Sequence, residues 1–212
     1  EDGKLRINFH FASAPYRNHS NQTNSDDITA EQVKAALKTF GDTIVDIGKY
    51  YAKGWSYKEH TLMFVDQMFA YDLGPVLFKP AEVKEHPFRL ERAGALSYFR
   101  GLNDDFPEDE GFALKPWARF SFSNYGIILQ EETAIAMGSY VFETKEGETT
   151  EAQYTIGFKK DAEGSLRINY FFASIPSDGA ALKFGEEPRE QNLTEMNMEA
   201  AQVNWAKKLV EV

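Results

Sequence analysis

At 212 residues, with 42% hydrophobic and 14% aromatic residues, the chain can bury one sizeable core and is too apolar to be disordered. A formal charge of −10 leaves too few cations to displace the counterions of nucleic acid, and no apolar run approaches the ~18 residues of a membrane span. Cysteine is absent, which excludes disulfides, thiolate metal sites and a cysteine nucleophile.

In chain order, Thr29 and Gln32 form a capping-box pattern ahead of Val33, Leu37, Phe40, Ile44, Ile47 and Tyr51. That spacing predicts a helix with a single apolar stripe, running to about Gly54. A second helical stretch covers roughly 57–70. A short strand is expected at 75–79, a short helix at 91–100 and an acidic loop at 102–116. Four strands follow at 117–130, 133–144, 151–160 and 165–175, separated by short polar or glycine-containing turns. Helices first and an antiparallel meander afterwards make an α+β domain. The stripe on the long N-terminal helix is buried if the sheet curves around it, and a pocket is left between them.

The chain also repeats itself. Gly3 to Pro15 reappears as Gly164 to Pro176, with nine of thirteen positions identical. More weakly, residues 28–47 align without gaps on 193–212, Thr29, Ala35, Ala36 and Val45 matching Thr194, Ala200, Ala201 and Val210. The expected organisation is therefore the last strand of a preceding repeat (1–16), a linker (17–27), a complete repeat (28–176), a second linker (177–192) and the first helix of a following repeat (193–212). The orphan strand 4–13 and helix 194–212 are expected to drive further self-association. Three sequons, at Asn18, Asn21 and Asn192, lie in or beside the linkers.

Strict alternation in the last strand places Leu166, Ile168, Tyr170, Phe172 and Ser174 on one face and Arg167, Asn169, Phe171 and Ala173 on the other. The first set is the more apolar and is expected to line the interior. Ala152, Tyr154, Ile156 and Phe158 do the same in the strand before it.

Several segments are similar to iota-class carbonic anhydrases: Phe40 to Gly48, Val76-Leu77-Phe78-Lys79-Pro80, Gly94 to Phe99, Asp105 to Trp117, Ala134 to Gly138 and Gln153-Tyr154-Thr155. The likeness covers about 28–176. It implies a cone of the nuclear-transport-factor-2-like (cystatin-like) kind, a homodimer through the outer sheet face, and an algal plastid setting. The implied activity is reversible hydration of carbon dioxide to bicarbonate, a lyase reaction, with no metal and no other cofactor.

Hydroxyl-bearing positions and a His-His-His-Ser-Ser strand end mark the pocket in that family. Tyr98 retains the tyrosine. Lys79-Pro80 is followed by Ala81 where the family has Thr, and the strand end reads Tyr170-Phe171-Phe172-Ala173-Ser174, leaving only the final Ser. The resemblance thus assigns Tyr98 and Ser174 as catalytic, with Tyr154, Tyr170, Phe172 and Ala81 lining the substrate pocket. His60 and His86 are read as surface or helix-flank residues, and His10 as the only triplet histidine kept in either copy.

A metal-free pocket needs a general base and donors aimed at the developing bicarbonate oxygens. Losing one such donor costs ~3 kcal/mol, or ~10²-fold or more in rate. The substitutions therefore set three readings side by side: a carbonic anhydrase of weakened activity, a non-catalytic assembly module of the same fold, and a binder of a small apolar ligand.

Overall fold

The structure, a computed structural model, describes residues 27–176. Helix α1 (Ala30–Ala52) begins at Thr29, whose hydroxyl accepts from the Gln32 N–H while the Gln32 side chain accepts from the Thr29 N–H. Its stripe is buried from Val33 through Leu37, Phe40, Ile44 and Ile47, but Tyr51 in the last turn, expected to continue it, is 47% exposed. Helix α2 (Tyr57–Met68), strand β1 (Leu77–Lys79) and helix α3 (Arg92–Arg100) follow. A 3-10 turn at Phe112–Leu114 then leads into β2 (Trp117–Leu129), β3 (Thr133–Thr144), β4 (Thr149–Lys160) and β5 (Leu166–Ser174).

The five strands form one sheet in the order β1-β5-β4-β3-β2. All neighbours are antiparallel except β1, which pairs with β5 in parallel. Parallel pairing sends the ends of β1 and β5 the same way, so Ala81 and Ala173 emerge at one end of the sheet. The sheet curves over α1, and the helices close the cone, as the single apolar stripe requires. No helix among the described residues is long and apolar enough to cross a membrane. The repeated strand 4–13, the helix 194–212 and the sequons lie outside the described residues.

The face expected for the last strand needs correction. Ile168 pairs with Phe158 and Tyr170 with Gly157, so Asn169 has no partner on β4. This is a β-bulge, and one extra residue reverses the parity of everything beyond it. Phe171 and Ala173 therefore face the core, while Tyr170, Phe172 and Ser174 face outward; Phe172 is 40% exposed. A side chain at Gly157, opposite the bulge, would crowd Asn169 and Tyr170. Ala152, Tyr154, Ile156 and Phe158 are buried as expected.

A second register shift at Tyr125 lies beside Gly138, where a Cβ would overlap the Ser123 carbonyl oxygen across the β2–β3 pair. Gly138→Ala is expected to destabilise the fold by about 1–3 kcal/mol, because the obstacle is backbone in a sheet. Gly126→Ala, with open space around it, is expected to stay within about 0.5 kcal/mol. Urea unfolding of the two variants checks the contrast.

Candidate active site

The deep end of the cone is filled with rings. Phe171 packs on Phe78 at 5.3 Å and on Phe40 at 5.4 Å between ring centroids, and Phe99 joins them through Phe78 at 5.8 Å. Space remains at the mouth, where a cavity of about 210 Å³ is lined by Glu82, Tyr98, Asp109, Phe112 and Lys115 among others.

Tyr98 reaches this cavity from α3, its ring stacked on Phe112 and edge-on to Phe78. Burial raises its phenol well above the ordinary tyrosine range, and the neighbouring Tyr140, Glu82 and Asp109 push the same way against Arg89. Tyr140 comes from β3, raised by burial and by Glu82. It stacks on Tyr154 of β4, which donates to the Asn124 side chain and is likewise raised by burial. All three phenols are therefore protonated near neutral pH. They are hydrogen-bond donors and cannot serve as bases. Tyr140 was missed in the sequence, although even-numbered inward positions of β3 run through it.

Two charged residues beside the recognised segments were also missed. Glu82 follows the Lys79-Pro80-Ala81 run, and Lys115 belongs to the Leu114-Lys115-Pro116-Trp117 run. Their side chains meet across the cavity, Lys115 Nζ to Glu82 Oε2 at 2.6 Å, both about one-third exposed or less. Lys115 also lies 5.4 Å from the Phe112 ring centroid and 5.7 Å from that of Trp117. The signal available was position alone: a carboxylate and an ammonium flanking two turns that the fold brings together.

The loop carrying Glu82 is held from the opposite side. Glu108 accepts from three successive backbone N–H groups, those of Lys84, Glu85 and His86. Burial works to raise its carboxyl, but these N–H groups and Arg89 outweigh it and hold the group below its ordinary range. Arg89 is fully buried, bonded to Asp109 at 2.8 Å and covering the Phe106 ring at 4.0 Å. Burial pushes the Asp109 carboxyl up against the opposing pull of Ser97 and Arg89.

The structure therefore separates the residues expected to act together. Tyr98 lines the mouth cavity, and Ala81 packs half-buried beside Glu82. Ala173 faces inward opposite Tyr154, its carbonyl accepting from Lys79 Nζ at 2.9 Å. Ser174 and Phe172 instead line a different hollow of about 420 Å³ on the outer sheet face, with Tyr125, Met137 and Gln153; Tyr154 borders it too. Tyr170 also faces outward, paired with Leu77. His60 lies against Tyr50 on the helix flank; His86 is exposed against Phe106, near Asp109 at the cavity's edge but not lining it. His10 lies outside the described residues; the position it matches, Phe171, faces the core. Among the described residues no cluster of His, Asp and Glu is arranged to hold a metal ion.

Comparison with known proteins bears on the same region. The family model for metal-independent carbonic anhydrase matches residues 31–175. A metal-independent carbonic anhydrase of Nostoc sp. strain PCC 7120 is 41% identical over 152 residues, which is 70% of this chain and 74% of that protein. The crystal structure of an iota-carbonic anhydrase from a cyanobacterium, complexed with bicarbonate, superposes with a TM-score of 0.69 at 38% identity, covering 71% of this chain and 94% of the other. A nuclear transport factor 2-like superfamily protein from Salmonella enterica, at 11% identity over 74% of this chain and 96% of its own, gives a TM-score of 0.40.

Glu108→Gln is expected to cost about 1–3 kcal/mol near pH 7, the scale of hydrogen bonds to a charged group. A carboxyl held below its unfolded value stabilises the fold above that value and loses the contribution as pH falls through the lower one. The gap between wild type and Glu108→Gln should therefore close as pH drops below about 4, which urea unfolding across pH 3–7 measures.

Proposed function

The chain belongs to the metal-independent carbonic anhydrase family, and from that premise we propose that its cone mouth hydrates carbon dioxide reversibly to bicarbonate. The observation that carries this is the mouth cavity itself, where Tyr98 lies beside a Lys115 ammonium in a hollow of about 210 Å³. That volume suits a three-heavy-atom substrate and its four-heavy-atom anion. Tyr98 supplies a locked donor for a developing bicarbonate oxygen, and the cation offsets its charge. Ala81 and Ala173 stand at the same end without hydroxyls, so the rate is expected to be low for the family.

Ala81→Thr combined with Ala173→Ser is expected to raise the hydration rate at least tenfold, each added donor contributing up to ~3 kcal/mol at full effect. Phe172→His, on the outer face, should add nothing to that gain. Stopped-flow hydration assays with and without a chelator read both; equal rates in the single, double and triple variants would contradict the assignment of the mouth.

The outer face supports a second element of the proposal, pairing of two copies through their sheets. Ile135 is 47% and Met137 56% exposed there, next to Tyr125 and Phe172. Apolar side chains grouped around one hollow favour a covered face. Met137→Asp is expected to shift the protein toward monomer, measured by light scattering. The tandem organisation is proposed on the repeat alone: Arg6-Ile7-Asn8 reproduces Arg167-Ile168-Asn169, including the residue that forms the bulge.

A further inference from the structure

We propose that Glu82 is the proton acceptor for carbon dioxide hydration and that Lys115 positions it. This rests on the proposed hydration activity and names the base that such a reaction requires. Each of the other titratable groups at or beside the cavity is unsuited to take the proton. The phenols of Tyr98 and Tyr140 are protonated near neutral pH and so cannot take up the proton. Asp109 also borders the cavity, but it is paired with the buried Arg89 at 2.8 Å and its side chain is only 1% exposed, so it has no route for returning a proton to solvent. Glu108 is committed to three backbone N–H groups. Glu110 borders the cavity as well but is exposed to solvent and, among the described residues, no hydrogen bond or ion pair is seen to orient its carboxylate there. No histidine lines the cavity: His60 packs on Tyr50, and His86, although near enough to act on Asp109, is exposed against Phe106.

Glu82 alone joins the needed properties. Its Oε2 is held by Lys115 Nζ, and no hydrogen bond occupies Oε1 among the described residues. Glu82 and Tyr98 line the same small cavity, so the carboxylate and a donor address one volume, and the Glu82 charge acts on the phenols of both Tyr98 and Tyr140. Glu82 is also only partly buried, with its side chain 26% exposed. A base at a metal-free site must release a proton to solvent in every turnover, which a fully enclosed carboxyl could not do.

The step balances as follows. A water oxygen held between Glu82 and Tyr98 bonds to the carbon of CO2. One C=O electron pair moves onto its oxygen, toward the Tyr98 hydroxyl, and the proton lost from the water goes to Glu82. Bicarbonate leaves from the Lys115 side, and protonated Glu82 passes its proton to a buffer base at the cavity mouth. In the reverse direction Glu82 returns the proton to the departing water.

The test uses Glu82→Gln, in wild type and in the Ala81→Thr/Ala173→Ser background, with circular dichroism to check folding. Glutamine keeps the shape and can still meet Lys115 through its carbonyl oxygen. The hydration rate is expected to fall ~10² to 10⁴-fold, the usual worth of a positioned base, and to recover in part when imidazole is added as a diffusible base. A folded Glu82→Gln as active as its parent overturns the assignment of Glu82 while leaving the hydration reading intact. A lost rate that imidazole does not restore makes Glu82 structural and overturns it equally. If neither parent exceeds buffer, the hydration reading falls and this inference falls with it.

Discussion

Phe171 sits where the long helix, the short parallel strand and the curved sheet converge, with Phe40, Phe69 and Phe78 all within 6.5 Å of its ring. It is there because Asn169 bulges out of the β4–β5 ladder and turns the remainder of the strand over. Without that extra residue Phe172 would enter the core and Phe171 would meet solvent. Either register buries one phenylalanine, but the bulged one also places Ala173 in the core and keeps the Ser174 hydroxyl out of it, where it would need a buried partner. The same reversal decides the chemistry: it sends Ala173 to the interior and Ser174 away from it. One unpaired asparagine thus determines which hydroxyl the site lacks.

With rings filling the apex, polar groups can persist only toward the mouth, and each there is constrained differently. The Arg89–Asp109 pair is too deep to exchange with solvent and acts as a pin between the loop before α3 and the acidic loop after it. A buried pair of this kind gives little net stability but penalises any arrangement that separates its members. Glu108 then draws three consecutive N–H groups around one carboxylate, which sets the path of the chain leading back to Glu82. The Glu82–Lys115 contact is the outermost part of this arrangement and the part in touch with water. Depth therefore sorts the charges into those that hold the cavity open and those that can work within it.

Most of the architecture was legible because period and punctuation survive packing. The stripe from Val33 to Ile47, the Thr29–Gln32 cap and the alternation of Ala152 to Phe158 each express a local rule that the fold obeys. Residue-by-residue carry-over placed Tyr98 in the cavity for the same reason, since α3 is short and rigid. The face of β5 was not legible. Tyr170-Phe171-Phe172 is aromatic at every position, so hydrophobicity carries no parity there, and only Asn169 opposite Gly157 hints at a bulge. Glu82 and Lys115 escaped because a half-exposed carboxylate and lysine look like any surface pair until two loops distant in sequence are brought together.

The protonation states of the site follow from that depth order rather than from particular catalytic residues. Burial favours the neutral phenol, so Tyr98 in the cavity wall, with Tyr140 and Tyr154 buried in the strands beyond it, stays protonated near neutral pH as a fixed donor. Donors of this sort stabilise charge that develops in bicarbonate formation, yet they cannot take up the proton which that formation releases. The two tasks must fall to groups in different dielectric surroundings: donors gain strength from dryness, whereas a proton carrier needs access to bulk solvent. A cone, closed by rings at its apex and open at its mouth, supplies both environments within one small cavity. On the site assignment proposed above, Ala81 and Ala173 reduce the donor side while Glu82 and Lys115 keep the wet side equipped, which puts the deficit in holding the transition state and not in disposing of its proton.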